Sequence, residues 1–234
     1  MTLHRGPDLP YVLVAGVVPV SGGWLVASAK MHAATFSPES PKVYESVVEV
    51  LNERPSFASI VIYAPIGFRD DLSSPRRTCD VEARTLLGNR ALTLTAAPTR
   101  WHLQPSQWHA DGLDAVTIVR LNHYRELFVE LLPFRQRTLY SGHPELSFYQ
   151  LNGDVPLRWS KRREEGREER RALLTRRIPG ITAVIDAETA VPEKHLYDAA
   201  ALLWTARRVN GRAATRLPAE GEWDSEGLRT EFVY

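Results

Sequence analysis

The sequence predicts an α/β fold: a mixed five-stranded sheet, opened by an antiparallel hairpin and flanked by helices. Three observations carry this. Tyr11–Val20 and Trp24–Ala29 are apolar, β-branched stretches separated by a Ser21-Gly22-Gly23 turn. Ser59–Ala64, SIVIYA, is a short apolar run of the kind buried on both faces by parallel pairing. Beyond it, helical periodicities surround one more short strand, Thr138–Ser141.

The elements follow in order. Ala33–Phe36 is a candidate third strand. A helix is expected next, with Ser40 as N-cap, Pro41 at its first position, and Val43, Val47 and Leu51 at helical spacing. After SIVIYA, Ser74 and Pro75 open a helix that Gly88 ends, with Cys79, Ala83, Leu86 and Leu87 on one face. A long helix is expected from about Leu113 to Leu132, with Val116, Leu127 and Leu131 inward. REEGREERRALLTRR reads as a charged helix ending before Pro179-Gly180. Pro192–Arg208 is the clearest helix, stopped by Gly211. The tail is expected to end in an edge strand. No repeat or low-complexity linker interrupts the chain, so a short N-terminal extension (1–10) and one domain (11–234) are expected.

Composition narrows the classes. The 234 residues are 44% hydrophobic and 24% charged, as in a folded soluble protein. No apolar run approaches the roughly 20 residues that span a bilayer, and the N-terminus lacks a signal-peptide pattern. The single cysteine, Cys79, excludes an internal disulfide and a Cys-cluster zinc site. A cytoplasmic protein without membrane contact is expected. The net charge of +1 points to no nucleic-acid partner by bulk charge alone. Only four lysines stand among the 29 basic residues, a skew that codon bias explains as well as anion binding does. The six tryptophans are scattered and form no stacking ladder.

Antiparallel strands followed by β-α units is the element order of a ribonuclease H-like fold, and motifs point the same way. GVVPVSGGW (Gly16–Trp24), APIGF (Ala64–Phe68), RRTCDVEARTLLGNR (Arg76–Arg90), APTR (Ala97–Arg100), HPELSFYQLNG (His143–Gly153), SKRREEG (Ser160–Gly166) and YDAAALLWTARR (Tyr197–Arg208) occur in order along nearly the whole chain. With these motifs the chain resembles the family called domain of unknown function 429, whose members are predicted ribonuclease H-like nucleases. The resemblance implies that fold and a metal-dependent phosphodiesterase site. It also implies acids at several positions where this chain has none. Val18 stands at the first-strand Asp, Tyr63 at the second-strand Asp, and Ser141 at a Glu two residues before His-Pro-Glu. Lys194 and His195 replace acids ahead of the last helix. Glu145 and Asp198 are the acids that remain.

Two-metal hydrolysis needs several carboxylates converging on ions about 3.5–4 Å apart. Valine offers no ligand, and a tyrosine with a pKa near 10 is neutral at pH 7. No metal or other cofactor is therefore expected; Mg²⁺ or Mn²⁺ would be required only if Glu145 and Asp198 were still catalytic, helped by acids such as Asp70, Asp71 or Asp80. Asp198 sits in an apolar helix, and an internal ion pair, for example with an arginine of RRTCDVEAR, is its commoner explanation. His143 and Glu145 flank Pro144 after a strand, where α/β sheets bind ligands, and would share a side if the chain stayed extended. Arg77, Asp80 and Arg84 share a helical face as a local network or an anion clamp. Arg100 and Lys161 complete the candidate substrate or anion contacts. Lys161–Arg177, with eight basic and four acidic residues, reads as an exposed helix or a phosphate contact.

Three functions compete on this reading: a catalytically degenerate relative that keeps a binding or assembly role, an active phosphodiesterase, and a protein-interaction module. Nucleic acid, a phosphate-containing ligand or a protein is the corresponding partner.

Overall fold

The computed structural model describes residues 10–33, 35–104 and 113–234. The extension expected over 1–10 lies outside them but for Pro10. β1 (Val12–Val20) is the centre of the main sheet. It pairs antiparallel with β2 (Gly23–His32) and parallel with β5 (Phe57–Ile62). β3 (Thr35–Pro38) and β4 (Lys42–Tyr44) both pair with β2, and β6 (Leu139–Ser141) runs parallel to β5. The order is β3-β2-β1-β5-β6 with β4 beside β2, six strands where five were expected. The hairpin turn needs a positive φ, and Gly22 takes +84° without Cβ strain.

The added strand corrects the expected Ser40 helix. Val43 and Tyr44 pair with β2 in extended backbone, and α1 (Val47–Asn52) starts only after Ser46, whose hydroxyl accepts the Glu49 N–H. Ser46-Val47-Val48-Glu49 is itself a capping signature that outranks Ser40-Pro41. Likewise α2 (Thr78–Leu87) begins four residues beyond Ser74. Asp71 engages the N–H and hydroxyl groups of Ser73 and Ser74 in a turn, and Glu222 from the distant tail accepts the Thr78 N–H at 3.1 Å.

The remaining helices are α3 (Arg100–Leu103), α4 (Ala115–Glu130), α5 (Pro144–Leu151), α6 (Glu164–Arg177), α7 (Thr182–Ile185) and α8 (Glu193–Asn210). In α4, Leu127 points inward as expected and Leu131 is buried just beyond it, but Val116 is 42% exposed. A second, two-stranded sheet pairs β7 (Arg216–Leu217) with β8 (Phe232–Val233), the tail strand, which also bridges Gly142. Among the described residues no helix is long and apolar enough to cross a membrane.

The apolar run of β1 is explained by burial on both faces. Val14, Val18 and Val20 join Val61, Tyr63 and the apolar side of α8 in one core. Leu13, Ala15 and Val17 face the other, with Ile60, Ile62, Leu121 and Leu127. Gly16 lets α8 lie directly on β1: a Cβ there would stand 2.2 Å from Leu203 N and 2.3 Å from Ala199 O. Both obstacles are backbone and cannot rotate away. Gly16→Ala is therefore expected to destabilise the fold by about 3 kcal/mol or more; urea denaturation of the variant measures it, and a loss below 1 kcal/mol would contradict this packing.

Candidate functional site

The parallel strands β1, β5 and β6 end together, and the side chains just beyond their ends form the floor of a cleft of about 290 Å³. The β1–β5 register sets Tyr63 beside Val18, with the Tyr63 N–H donating to Val17 O at 2.7 Å. Val18 is fully buried. Ser141, at the end of β6, is also buried and donates its hydroxyl to Ala64 O at 2.7 Å. Three of the positions where the resemblance implies acids are thus filled by a core methyl cluster, a phenol and a strand-capping hydroxyl.

His143 and Glu145 do not alternate along an extended chain. Pro144 starts α5, and His143 is its N-cap, with Nδ1 accepting the Glu145 N–H at 3.2 Å. A proline at the first helical position and an acid in the first turn favour this outcome. Burial pushes the His143 pKa down to about 3, outweighing the opposing pull of Glu145. The ring is neutral; with Nδ1 accepting, Nε2 carries the proton and faces Thr93 O and the Tyr63 hydroxyl, each at 3.3 Å. His143 therefore lines the cleft as a neutral side chain. Burial likewise raises Tyr63 to about 12; Arg120 opposes this and Asp198 and Glu145 add to it.

Both remaining acids are held by protein cations. Asp198, 1% exposed, is bonded through Oδ2 to Lys161 rather than to an arginine of α2. Its Oδ1 is buried without a partner among the described residues. Glu145 is bonded by Arg170 at 2.5 Å and by Arg90 at 3.2 and 3.3 Å, so both its oxygens are taken. Burial raises the Glu145 pKa, but Arg170 and Arg90 outweigh it and hold the carboxyl below its ordinary value. Arg170 is fully buried and also donates to the carbonyls of Trp159 and Gly166.

A divalent ion does not fit this arrangement. One unpartnered carboxylate oxygen, beside an ammonium group, is far from the near-octahedral oxygen set that Mg²⁺ requires. Among the described residues no three His, Cys, Asp or Glu side chains converge on a common point. The other acids considered lie in different contacts. Asp70 pairs with Arg100 at 3.4 Å, Asp71 holds its serine turn, and Asp80 lies 3.9 Å from Arg77.

Several expected anion contacts are placed elsewhere. Arg77, with Asp80, lines a separate chamber of about 20 Å³ beyond Tyr63 and His143, with room for about one water. Its Nη2 lies 3.2 Å from the Cys79 sulfur. Cys79 is the small core residue expected, its thiol pushed up to about 12 by burial. Arg84 turns away from Asp80 to the carbonyls of Ala91 and Leu94, so no Arg–Asp–Arg clamp forms. Arg100 is locked among Asp224 at 2.5 Å, Glu226 at 3.0 Å and Asp70. Of the expected contacts, Lys161 lines the cleft as a cation.

The cations that do line it alongside Lys161 are Arg90, Arg120 and Arg162. None was singled out in the sequence. Arg90 closes one motif quoted above and Arg162 lies within another, a usable signal; Arg120 carries none. Arg170 was legible too: Gly166, Arg170, Leu173 and Leu174 recur at helical spacing, which puts an arginine on the buried face of α6.

Fold and site together define a mixed α/β protein with a cation-lined cleft at the ends of its parallel strands. The chain belongs to the family described as protein of unknown function (DUF429), whose model matches residues 16–222. No match was found among curated proteins or among solved structures.

Two stability predictions follow from the paired acids. Lys161→Met leaves Asp198 buried and unpaired, and is expected to cost about 3–5 kcal/mol at neutral pH. Asp198→Ala should cost less, because the Lys161 side chain is 25% exposed and can turn to water. The double variant should recover most of the Lys161→Met loss. Thermal melts of all three measure this, and an Asp198→Ala protein more stable than wild type would show that the pair is not structural. For Glu145, a lowered folded pKa means stability that is full above the ordinary value of 4.5 and lost as pH falls through the folded value. Urea titrations from pH 6 to pH 3 should show that loss in the wild type and a flatter profile in Glu145→Gln.

Proposed function

We propose that this protein is a catalytically degenerate ribonuclease H-like member of its family that keeps the strand-end cleft to bind an anionic, phosphate-containing ligand. One observation carries the reading: the surviving acids are neutralised from within, Asp198 by Lys161 and Glu145 by Arg170 and Arg90. The strand order, with β1–β3 antiparallel and β5 and β6 parallel to β1, supports the ribonuclease H-like part.

Two-metal hydrolysis concentrates negative charge so that cations bind, and the ions then meet the phosphate. In this cleft the positive charge is covalently part of the chain. Lysine and arginine attract a phosphate without metal, but a saturated ammonium or guanidinium does not activate a water. The same residues that favour an anion therefore disfavour the hydrolytic reading.

Incubation of the purified protein with DNA, RNA and hybrid substrates in Mg²⁺ or Mn²⁺ is expected to give no cleavage above background. Robust cleavage that disappears in Asp198→Asn would overturn the proposal and restore the phosphodiesterase.

A further inference from the structure

We infer that the cleft takes the phosphate monoester of a small organic molecule, its phosphate among Arg90, Arg120, Lys161 and Arg162 and its apolar part against Leu92 and Val116. This rests on the reading of the cleft as an anion site.

Charge is the first ground. Four cations line one cavity against a single carboxylate, Glu145, which Arg170 already holds from behind. Two of the four are not spent on acids. Arg162 is exposed, and neither it nor Arg120 forms an ion pair among the described residues. Arg120 instead donates to the Thr95 hydroxyl at 3.4 Å and lies over the Tyr63 ring, 4.7 Å from its centroid. A monoester phosphate carries a charge of about −1.5 to −2 at pH 7 and three acceptor oxygens, which matches such a set of donors. The N-terminus of α5 adds no N–H donor, since Pro144 has none and the next three are bonded to His143.

Shape is the second ground. The cations surround one cavity instead of following a path, and about 290 Å³ is near the lower end of small-molecule sites, about 300–1,000 Å³. Among the described residues neither exposed tryptophan, Trp101 or Trp223, lines it, and no platform for successive bases is formed there by them. The third ground is the lip. Leu92 is 92% exposed and Val116 42% exposed, two apolar side chains beside the cations that inorganic phosphate would not use.

Calorimetric titration tests this with phenyl phosphate, adenosine 5′-monophosphate, inorganic phosphate, adenosine, and a single-stranded oligonucleotide with hydroxyl ends. The two monoesters should bind at least about tenfold more tightly than inorganic phosphate, and adenosine and the oligonucleotide should not compete. Arg162→Ala, at an exposed position, and Arg120→Gln should each weaken monoester binding about tenfold while leaving the melting temperature of Arg162→Ala unchanged. Monoesters no tighter than inorganic phosphate, or binding untouched by both variants, would overturn the inference. Binding of the oligonucleotide but not the monoesters would overturn it too, leaving the anion-binding cleft standing. Failure of every phosphate probe would remove both.

Discussion

The approach of α8 to β1 at Gly16 is the constraint on which the rest depends. With no side chain between them, helix backbone meets strand backbone at Ala199 and Leu203. That contact fixes the first turns of α8 over the strand ends, so that Asp198 is delivered beside an apolar core. A carboxylate delivered there must find a cation. Lys161 reaches it from the segment before α6, and α6 in turn is docked by Arg170 onto Glu145 of α5. Backbone proximity at one glycine thus sets up a charge problem that two further elements solve.

The solution has a consequence for the site. Buried ion pairs contribute little net stability, because desolvation offsets the Coulomb gain, but removing one partner is costly. Lys161 and Arg170 are therefore hard to lose once Asp198 and Glu145 are buried. They cancel the charge of the two acids, and Arg90, Arg120 and Arg162 give the open cleft its excess of positive charge. Burial keeps His143 neutral and Tyr63 protonated, so neither adds or removes charge near pH 7.

Elements whose cause is local were legible in the sequence. The hairpin, the strand Phe57–Ile62, β6 and α8 follow from β-branched runs, turn glycines and helical spacing within a few residues. The misplaced ones depend on distant partners or on competition between neighbouring signals. Ser74 could cap a helix, but Asp71 claims it first and Glu222 caps Thr78 from the tail. His143 and Glu145 were placed at the strand end, but Pro144 turns the chain into a helix and reverses the expected alternation. In the site, Val18, Tyr63 and Ser141 were singled out only through the family motifs, which imply acids at those positions. The counter-ions did not, since Lys161 lies 37 positions from Asp198 and Arg90 lies 55 from Glu145. Arg77 and Arg84 shared a helical face, yet Arg77 reaches Asp80 and the Cys79 thiol while Arg84 turns to backbone carbonyls.

The cleft is not an acidic site with one ligand missing: its two acids are already paired with cations of the chain. An aspartate at Val18 would stand at a fully buried position, where an unpaired carboxylate costs several kcal/mol or takes up a proton. Lys161 is already bonded to Asp198. An aspartate at Tyr63 would remove the hydroxyl that faces the His143 Nε2–H and the ring on which Arg120 rests. Each acid restored singly would therefore break a contact or strand a charge, while Asp198 and Glu145 would stay engaged by Lys161, Arg170 and Arg90. The cleft as it stands is a self-consistent electrostatic state, held by the same ion pairs that tie α5, α6 and α8 together, and the proposed anion site rests on that state.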